Sequence, residues 1–533
     1  MFEACHRFAF FDYFRVPCVV RPAGHPAARA RVPGYLHRAC VPGREGRAPC
    51  SLLWAGGDER GAGGAAGRRL GCYRLGGSTV FAHVVPDEAT GEVLGALGRG
   101  WRPVEAVLAG NGAPVAHVWR EVGGSVFLPF DPGEVMHRFW SEKYRDVGRL
   151  PLAAAGRRAL LRGYYLARPA LPRPVQLRLR RAFTRVQERP SFPAWPLEES
   201  LHNFYTWLFS LLCDLSGGPV PWLDLWPEGR SCALVLTHDV ETGSGYRDME
   251  LLRGPERSRG YRSSWNFVPL RYRVHDETVR MLRDEGCEVG VHGLLHDGRD
   301  LGSARLVSKR LPAMRQYAAR WNAAGFRSPA TQRAWELMPR LGFDYDSSYP
   351  DTDPYEPQPG GCCTYLPYIH HGMVELPITM PQDHTLFTIL QRPDAGIWLR
   401  KAQRLRELGG MVLVLSHPDY ARDERLTAGY RALLDVFAGD ETVWHALPVE
   451  AATWWRGRAA STLRPHRGGW KIDGPASAAG RVRLTAPAET RPPTVRNTAT
   501  QGEGCAGPDC CLNSALGRDS PISAGHVGGA DLW

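Results

Sequence analysis

No window of the 533-residue chain comes close to the roughly 18 uninterrupted apolar residues that a membrane-spanning helix requires. A spanning role is therefore set aside. The first twenty residues, MFEACHRFAFFDYFRVPCVV, mix acidic, basic and aromatic side chains through their apolar stretch. No basic segment leads into a clean apolar run, so no secretory signal is read and a cytoplasmic protein is expected. None of the 13 cysteines sits in a Cys-x-x-Cys pair, and the odd count leaves one over. Without an export signal, reduced thiols are the default. Cys213, Cys232 and Cys287 lie in apolar runs and read as small core residues.

The composition, 43% hydrophobic and 23% charged, is that of a globular protein with a sizeable core. The net charge of +11 is not gathered into one patch. Arg178, Arg181 and Arg185 share a helical face, which reads as a solvated surface. No recognised nucleic-acid motif accompanies the charge, so nucleic acid is not expected as a partner.

Four regions differ in texture. Residues 1–145 mix short strand-like runs with Gly/Ala/Arg stretches such as 55–68, and suggest a small N-terminal α/β accessory domain. Residues 146–230 read as a helical bridge, with a buried helix over Leu201–Leu215 stopped by Gly217-Gly218-Pro219. Residues 231–457 alternate strand and helix: strands are expected at 233–237, 265–268, 287–291, 325–327, 345–348, 375–378, 411–415 and 444–448. Helices are expected at 276–285, 303–322, 331–341, 394–408 and 423–437. Repeated β-then-α units imply a parallel sheet with its ligand site at the carboxyl ends of the strands. Residues 458–533 lose periodicity and are expected to be disordered. Cys505, Cys510 and Cys511 there match no standard zinc spacing.

Polar residues cluster just past several strand ends. ALVLT runs into His238-Asp239-Val240-Glu241, CEVGV into His292 and then His296, GF into Arg327-Ser328-Pro329, and MVLVL into Ser416-His417. Two histidines four apart in a tight loop direct both imidazoles one way. Two His and one carboxylate with open positions suit Zn²⁺ first, and also Co²⁺, Fe²⁺ or Mn²⁺. Asp239-x-Glu241 taken alone is explained by a solvated turn or helix cap. Placed together at three strand ends, the groups mark a site.

Thr237-His-Asp-Val-Glu241, His292-Gly-Leu-Leu-His296, Arg327-Ser-Pro329 and Leu415-Ser-His417 resemble the ordered motifs of the polysaccharide deacetylase family, also called the NodB-homology domain or carbohydrate esterase family 4. The resemblance spans about 225 residues of the chain. It implies a distorted (β/α) barrel and hydrolysis of non-peptide C–N bonds, with an N-acetylated polysaccharide or sugar conjugate as substrate. The family's first motif commonly reads T-F-D-D-G. Val240 stands where the second Asp would bind metal, and Glu241 fits a D-x-D branch of the family with one extra methylene. Carried onto this sequence, the metal ligands are Glu241, His292 and His296. Asp239 is the general base, His417 the general acid, and Arg327 the group that keeps Asp239 ionised.

Other residues are left open. One of Asp346, Asp351 and Asp353 is a candidate to orient His417. Asp383 and His384 are candidates to line the pocket. Trp265 and Asn266 are candidates for a sugar contact, and His238 for the pocket wall or for packing. Two alternative functions stand beside the deacetylase: an amidase of the same fold acting on a small non-sugar amide, and a non-catalytic glycan-binding module.

Overall fold

The computed structural model describes residues 1–4, 7–20, 36–41, 50–55, 68–147, Arg178, Arg181 and 192–485. All of them belong to one unit, Met1–Pro487. The Gly/Ala/Arg stretch at 55–68, the arginine run apart from Arg178 and Arg181, and the three cysteines near the C-terminus lie outside the described residues, save Ala55 and Arg68.

The first region forms a nine-stranded sheet. Its strands are β1 (Phe2–Ala4), β2 (Cys18–Val20), β3 (Leu36–Val41), β4 (Cys50–Ala55), β5 (Arg69–Leu75), β6 (Ser78–Val84), β7 (Trp101–Ala109), β8 (Pro114–Glu121) and β9 (Val126–Leu128). They run in the order β2-β1-β3-β4-β9-β8-β7-β5-β6. Most pairs are antiparallel; β1–β2 and β4–β9 are parallel. Gly76 and Gly77, with φ of 55° and 81°, make the two-residue turn between β5 and β6 that a tight hairpin requires. The helix after β9 starts at Pro132, where the Asp131 carboxylate caps it by accepting the Gly133 N–H at 2.7 Å.

Of the expected helical bridge, residues 148–191 lie almost wholly outside the described residues. The helix within the rest, Ser200–Ser216, buries Leu201, Phe204, Leu208 and Leu212 and ends at Gly217 in the left-handed region. β10 (Val220–Leu223) leads from it into the second sheet.

That sheet comprises β11 (Cys232–Val240), β12 (Ser264–Phe267), β13 (Glu288–His292), β14 (Gly325–Arg327), β15 (Tyr345–Asp346), β16 (Tyr368–His370), β17 (Met373–Glu375), β18 (Met411–Ser416) and β19 (Val443–His445). The order is β16-β17-β15-β14-β13-β12-β11-β18, with β19 beside the start of β11. Every pairing is parallel except the β16–β17 hairpin. Helices Asp276–Asp284, Ala304–Trp321, Gly396–Glu407 and Glu424–Phe437 link the strands, as the sequence periodicity predicts. The class is therefore α/β, and the parallel strands bring their carboxyl ends to one rim.

Local chemistry moves several boundaries. The helix expected at 331–341 is reduced to a 3₁₀ turn, Met338–Leu341. Pro339 interrupts the helical donors, and the Arg333 N–H is taken by Gln358 Oε1 at 2.9 Å. The strand expected at 375–378 ends at Glu375 and belongs to an unpredicted hairpin turned by His371-Gly372, φ 47° and 86°. The strand expected to reach Pro448 stops at His445, because Pro448 opens the helix Pro448–Ala459. The expected disorder from residue 458 is corrected as far as Thr485. β20 (Thr462–His466) and β21 (Gly469–Asp473) form a hairpin, and β22 (Val482–Thr485) pairs with β10. Leu463, Ile472 and Ala476 join Leu223 in a small apolar cluster, too few residues to give a periodic signal. Among the described residues no helix is long and apolar enough to cross a membrane.

Candidate active site and metal centre

β11 is buried along its whole length, so its polar end is a cost that needs partners. Side chains on a strand alternate between faces, which puts Thr237, Asp239 and the following Glu241 on one side and His238 and Val240 on the other. The spacing D-x-E thus delivers two carboxylates to one face, while Val240 packs fully buried behind them.

β13 supplies the histidines. Gly293 and His296 both take left-handed φ, 63° and 55°, and these two bends fold the loop back on itself. The ring centroids of His292 and His296 lie 5.0 Å apart. A side chain at Gly293 has no room, since its Cβ would lie 2.4 Å from Asp300 Oδ2 and 2.6 Å from Pro329. Glu241, His292 and His296 each offer a ligand atom within 4.8 Å of the others. His296 Nε2 is 2.9 Å from Glu241 Oε1.

His292 carries the test of whether these residues fit a metal. Its Nδ1 lies 3.2 Å from the Arg327 carbonyl oxygen, a contact that places the proton on Nδ1 and leaves the lone pair on Nε2. That Nε2 is buried with no hydrogen-bond partner among the described residues, and a bare acceptor of this kind fits a cation. Burial drives the His292 pKa down to about 4, so the ring is neutral, as a ligand must be. Burial would raise Glu241, but the adjacent His296, His417 and His292 hold its carboxyl well below the ordinary range.

Asp239 is also buried. Burial would raise its pKa; His292, Arg327, His417 and a hydrogen bond from Asn266 reverse this and lower it. Asn266 Nδ2 donates to Asp239 Oδ1 at 2.8 Å, from the position opposite on β12. Arg327 stands 3.6 Å from the same oxygen and spends its hydrogen bonds on Thr237 Oγ1 and Ser347 Oγ, at 3.0 and 2.8 Å. It therefore acts on Asp239 through its charge.

His417 follows β18. Asp383 grips it twice: Oδ1 is 2.6 Å from Nδ1, and Oδ2 accepts the His417 backbone N–H at 2.7 Å. Burial alone would lower the His417 pKa, but Asp383, with Glu241 and Asp239, raises it to about 10. Its Nε2 faces Glu241 Oε1 at 3.9 Å.

The structure brings together all six residues expected to carry chemistry: Asp239, Glu241, His292, His296, Arg327 and His417. It corrects the candidates for orienting His417. Asp346 bonds Ser348 and pairs with Glu375, Asp351 pairs with Lys401 at 2.7 Å, and Asp353 accepts the Tyr355 N–H. The role falls to Asp383, which sequence reasoning placed only along the pocket. His384, beside it, lies against Tyr420, with ring centroids 4.9 Å apart. Trp265 is fully buried and packs against His238, with ring centroids 4.2 Å apart and the rings tilted by 33°. His238 is no part of a pocket wall: Nδ1 meets Ser416 Oγ at 3.0 Å and Nε2 meets Glu256 Oε1 at 2.7 Å, behind β11. Asp419 was missed. Its Oδ2 accepts the Glu241 backbone N–H at 2.9 Å and its Oδ1 accepts the Thr242 hydroxyl, fixing the ligand's backbone. The only signal for it was its place two residues after His417.

No family model matches the chain, and no curated protein matches it. Solved structures do. A Mycobacterium smegmatis chain whose assignment as a polysaccharide deacetylase is itself an inference matches at 20% identity and TM-score 0.38, over 46% of this chain and 97% of that one. A PuuE allantoinase matches at 17% identity and TM-score 0.35, over 43% and 92%. A family 4 carbohydrate esterase from Streptomyces lividans, solved with acetate, matches at 15% identity and TM-score 0.29, over 41% and 93%. Each match spans less than half of this chain and nearly all of the other.

Proposed function

We propose that the chain is a metal-dependent hydrolase of non-peptide C–N bonds, of the polysaccharide deacetylase type, which removes N-acetyl groups from a polysaccharide or sugar conjugate. In this reading residues 231–457 are the catalytic domain, built as a distorted (β/α) barrel, and the first sheet is an accessory region. The observation that carries the proposal is the convergence of a neutral His292 with a bare buried Nε2, an ionised Asp239 and a protonated His417 on one rim.

Glu241, His292 and His296 would hold the cation. A divalent ion there, zinc first, supplies Lewis acidity towards an acyl oxygen and lowers the pKa of water at its open positions. The protein groups do the rest. Asp239, ionised and held by Asn266, takes the proton of the attacking water as general base. Arg327 keeps the charge on Asp239 while that proton is awaited. His417, charged because Asp383 stabilises its imidazolium, gives its proton to the departing amine nitrogen. The tight Asp383 contact also fixes which nitrogen faces the substrate: Nδ1 is engaged, so Nε2 donates.

The test is acetate release from a panel of N-acetylated glycans and sugar conjugates by purified protein with added Zn²⁺ or Co²⁺, run beside simple acyl amides. Release from the glycans, abolished by chelation and by Asp239→Asn, is expected. Cleavage confined to the simple amides replaces the substrate class. No bound metal in any preparation overturns the enzyme reading.

A further inference from the structure

Glu142 sits in the first region, between the helix Pro132–Trp140 and a 3₁₀ turn at Lys143–Asp146, and its carboxylate, which accepts from the neighbouring Arg145 at 3.2 Å, also reaches across to the second. Its φ of 56° turns the chain inward, and its side chain is 5% exposed. There it meets Arg333, whose side chain is 1% exposed, through two parallel hydrogen bonds: Nε to Oε2 at 3.1 Å and an η nitrogen to Oε1 at 2.8 Å. Arg333 uses two further donors on the Thr331 carbonyl at 2.8 Å and the Gln358 carbonyl at 2.7 Å. The contact is fitted on both sides. Tyr144 Oη donates to the Gly361 carbonyl at 2.7 Å and accepts the Gly361 N–H at 3.0 Å, and a Cβ at Gly360 would lie 3.0 Å from Glu142 Oε1.

What this pair grips is strained. Ala330 and Thr331 take successive left-handed φ of 54° and 47°, and Thr331 is β-branched, the type that tolerates that region least. Such a conformation persists only where its surroundings over-determine it. Arg333 does so by bonding the Thr331 carbonyl while Glu142 fixes Arg333.

The far side of the strained turn is the back wall of the histidine loop. Pro329 fills the space next to Gly293, and Gln332 lies against Gly298, where a Cβ would come within 3.1 Å of its Nε2. Gly293 and Gly298 bracket the segment that presents His296. Upstream of the turn, the Arg327 carbonyl fixes His292. A continuous run of contacts therefore leads from Glu142 through Arg333 and residues 329–332 to both histidines.

We propose that Glu142 is a positioning residue: the first region clamps the strained 329–332 turn through the buried Glu142–Arg333 pair, and so sets the geometry of the His292–His296 loop. Its consequence for metal affinity rests on the hydrolase reading above; the clamp itself does not. A buried ion pair contributes little net stability, since desolvation offsets its attraction, whereas it does fix position. That separates the clamp from ordinary packing.

Hydrogen exchange in the full chain tests it. In Glu142→Gln, amides in residues 293–301 and 328–333 are expected to exchange about tenfold faster, with β11 and β18 unchanged, and the Kd for Co²⁺ is expected to rise about tenfold. Wild-type exchange in both loops, or a uniform rise that includes β11 and β18, overturns the clamp. If Glu142→Gln fails to fold because Arg333 is left charged and buried, Glu142→Met/Arg333→Met decides on the same two readouts, having removed both charges. Wild-type protein that binds no Co²⁺ sinks the hydrolase reading, and the exchange result still decides the clamp.

Discussion

Asp239 and Glu288 lie two strands apart in the same parallel sheet, both buried, and their acidities move in opposite directions. Glu288 opens β13 at the end of the sheet away from the rim; Asp239 stands near the end of β11 at the rim itself. Around Glu288 are neutral donors, the Tyr345 hydroxyl at 2.7 Å and the Val449 N–H at 3.0 Å, and a further carboxylate on Glu450. Burial dominates and pushes its carboxyl up to about 7. Around Asp239 are His292, Arg327 and His417, and burial is overcome. Burying a carboxyl is thus not what marks a reactive site in this fold. The convergence of cationic or proton-bearing groups on it is, and only one end of the sheet provides that.

The contrast breaks most directly at Asp239. Asp239→Asn keeps the shape and the Asn266 and Arg327 surroundings but removes the base. Its kcat for acetate release should fall about 1,000-fold or more, with the metal content unchanged. A variant retaining a tenth of wild-type kcat would show that another group takes the proton.

At the opposite end, Glu288→Gln should change stability and leave turnover alone. A carboxyl whose folded pKa is raised stabilises the fold while protonated. That contribution is full below its ordinary value of 4.5 and is lost as pH rises through about 7. The shift corresponds to about 3 kcal/mol at most. Urea unfolding at pH 5 and pH 8 should show the wild type losing stability relative to Glu288→Gln by up to that amount. Equal pH slopes in the two proteins would remove Glu288 from the comparison.

The rim and the base of the sheet also differed in how far the sequence exposed them. Each rim residue that meets the reacting atoms followed an apolar strand, where an ionisable group interrupts a hydrophobic pattern, and that interruption is local. Their supports were not legible for the opposite reason. Asp383 reaches His417 across 34 positions, Asn266 reaches Asp239 across 27, and Asp419 reaches the Glu241 N–H across 178. Nothing near any of the three in the sequence announces its partner. The same holds for the fold. Helices with four-and-three apolar steps, such as Ala304–Trp321, were read within a residue at each end. The β16–β17 hairpin and the β10–β22 pair escaped, being strands of three or four residues whose partners are set by tertiary contact.

Asp383→Asn sharpens the rim side. Without the carboxylate, the imidazolium of His417 loses its main support, and its pKa falls from about 10 towards the ordinary value of 6.5. The acid form is then depleted above neutral pH. The alkaline limb of the kcat profile should move to lower pH, with kcat at pH 8 down about 30-fold. An unmoved alkaline limb would mean that His417 is not the proton donor.

The smallest change tests the base of the sheet by exaggerating it. Tyr345→Phe keeps the ring that packs against Gly325, where a Cβ would lie 1.9 Å from it, and deletes only the hydroxyl bonded to Glu288. That hydroxyl opposes burial by favouring the ionised carboxylate. Its loss should raise the Glu288 midpoint by roughly one unit and cost about 1 kcal/mol at alkaline pH, with less at pH 5, where Glu288 is protonated. The difference between the two pH values carries the meaning: a cost equal at both would assign the hydroxyl to packing, whereas a cost that grows with pH shows that hydrogen bonding alone is all that offsets the burial of this carboxylate. Asp239 has cations for that task, and so remains ionised where Glu288 does not.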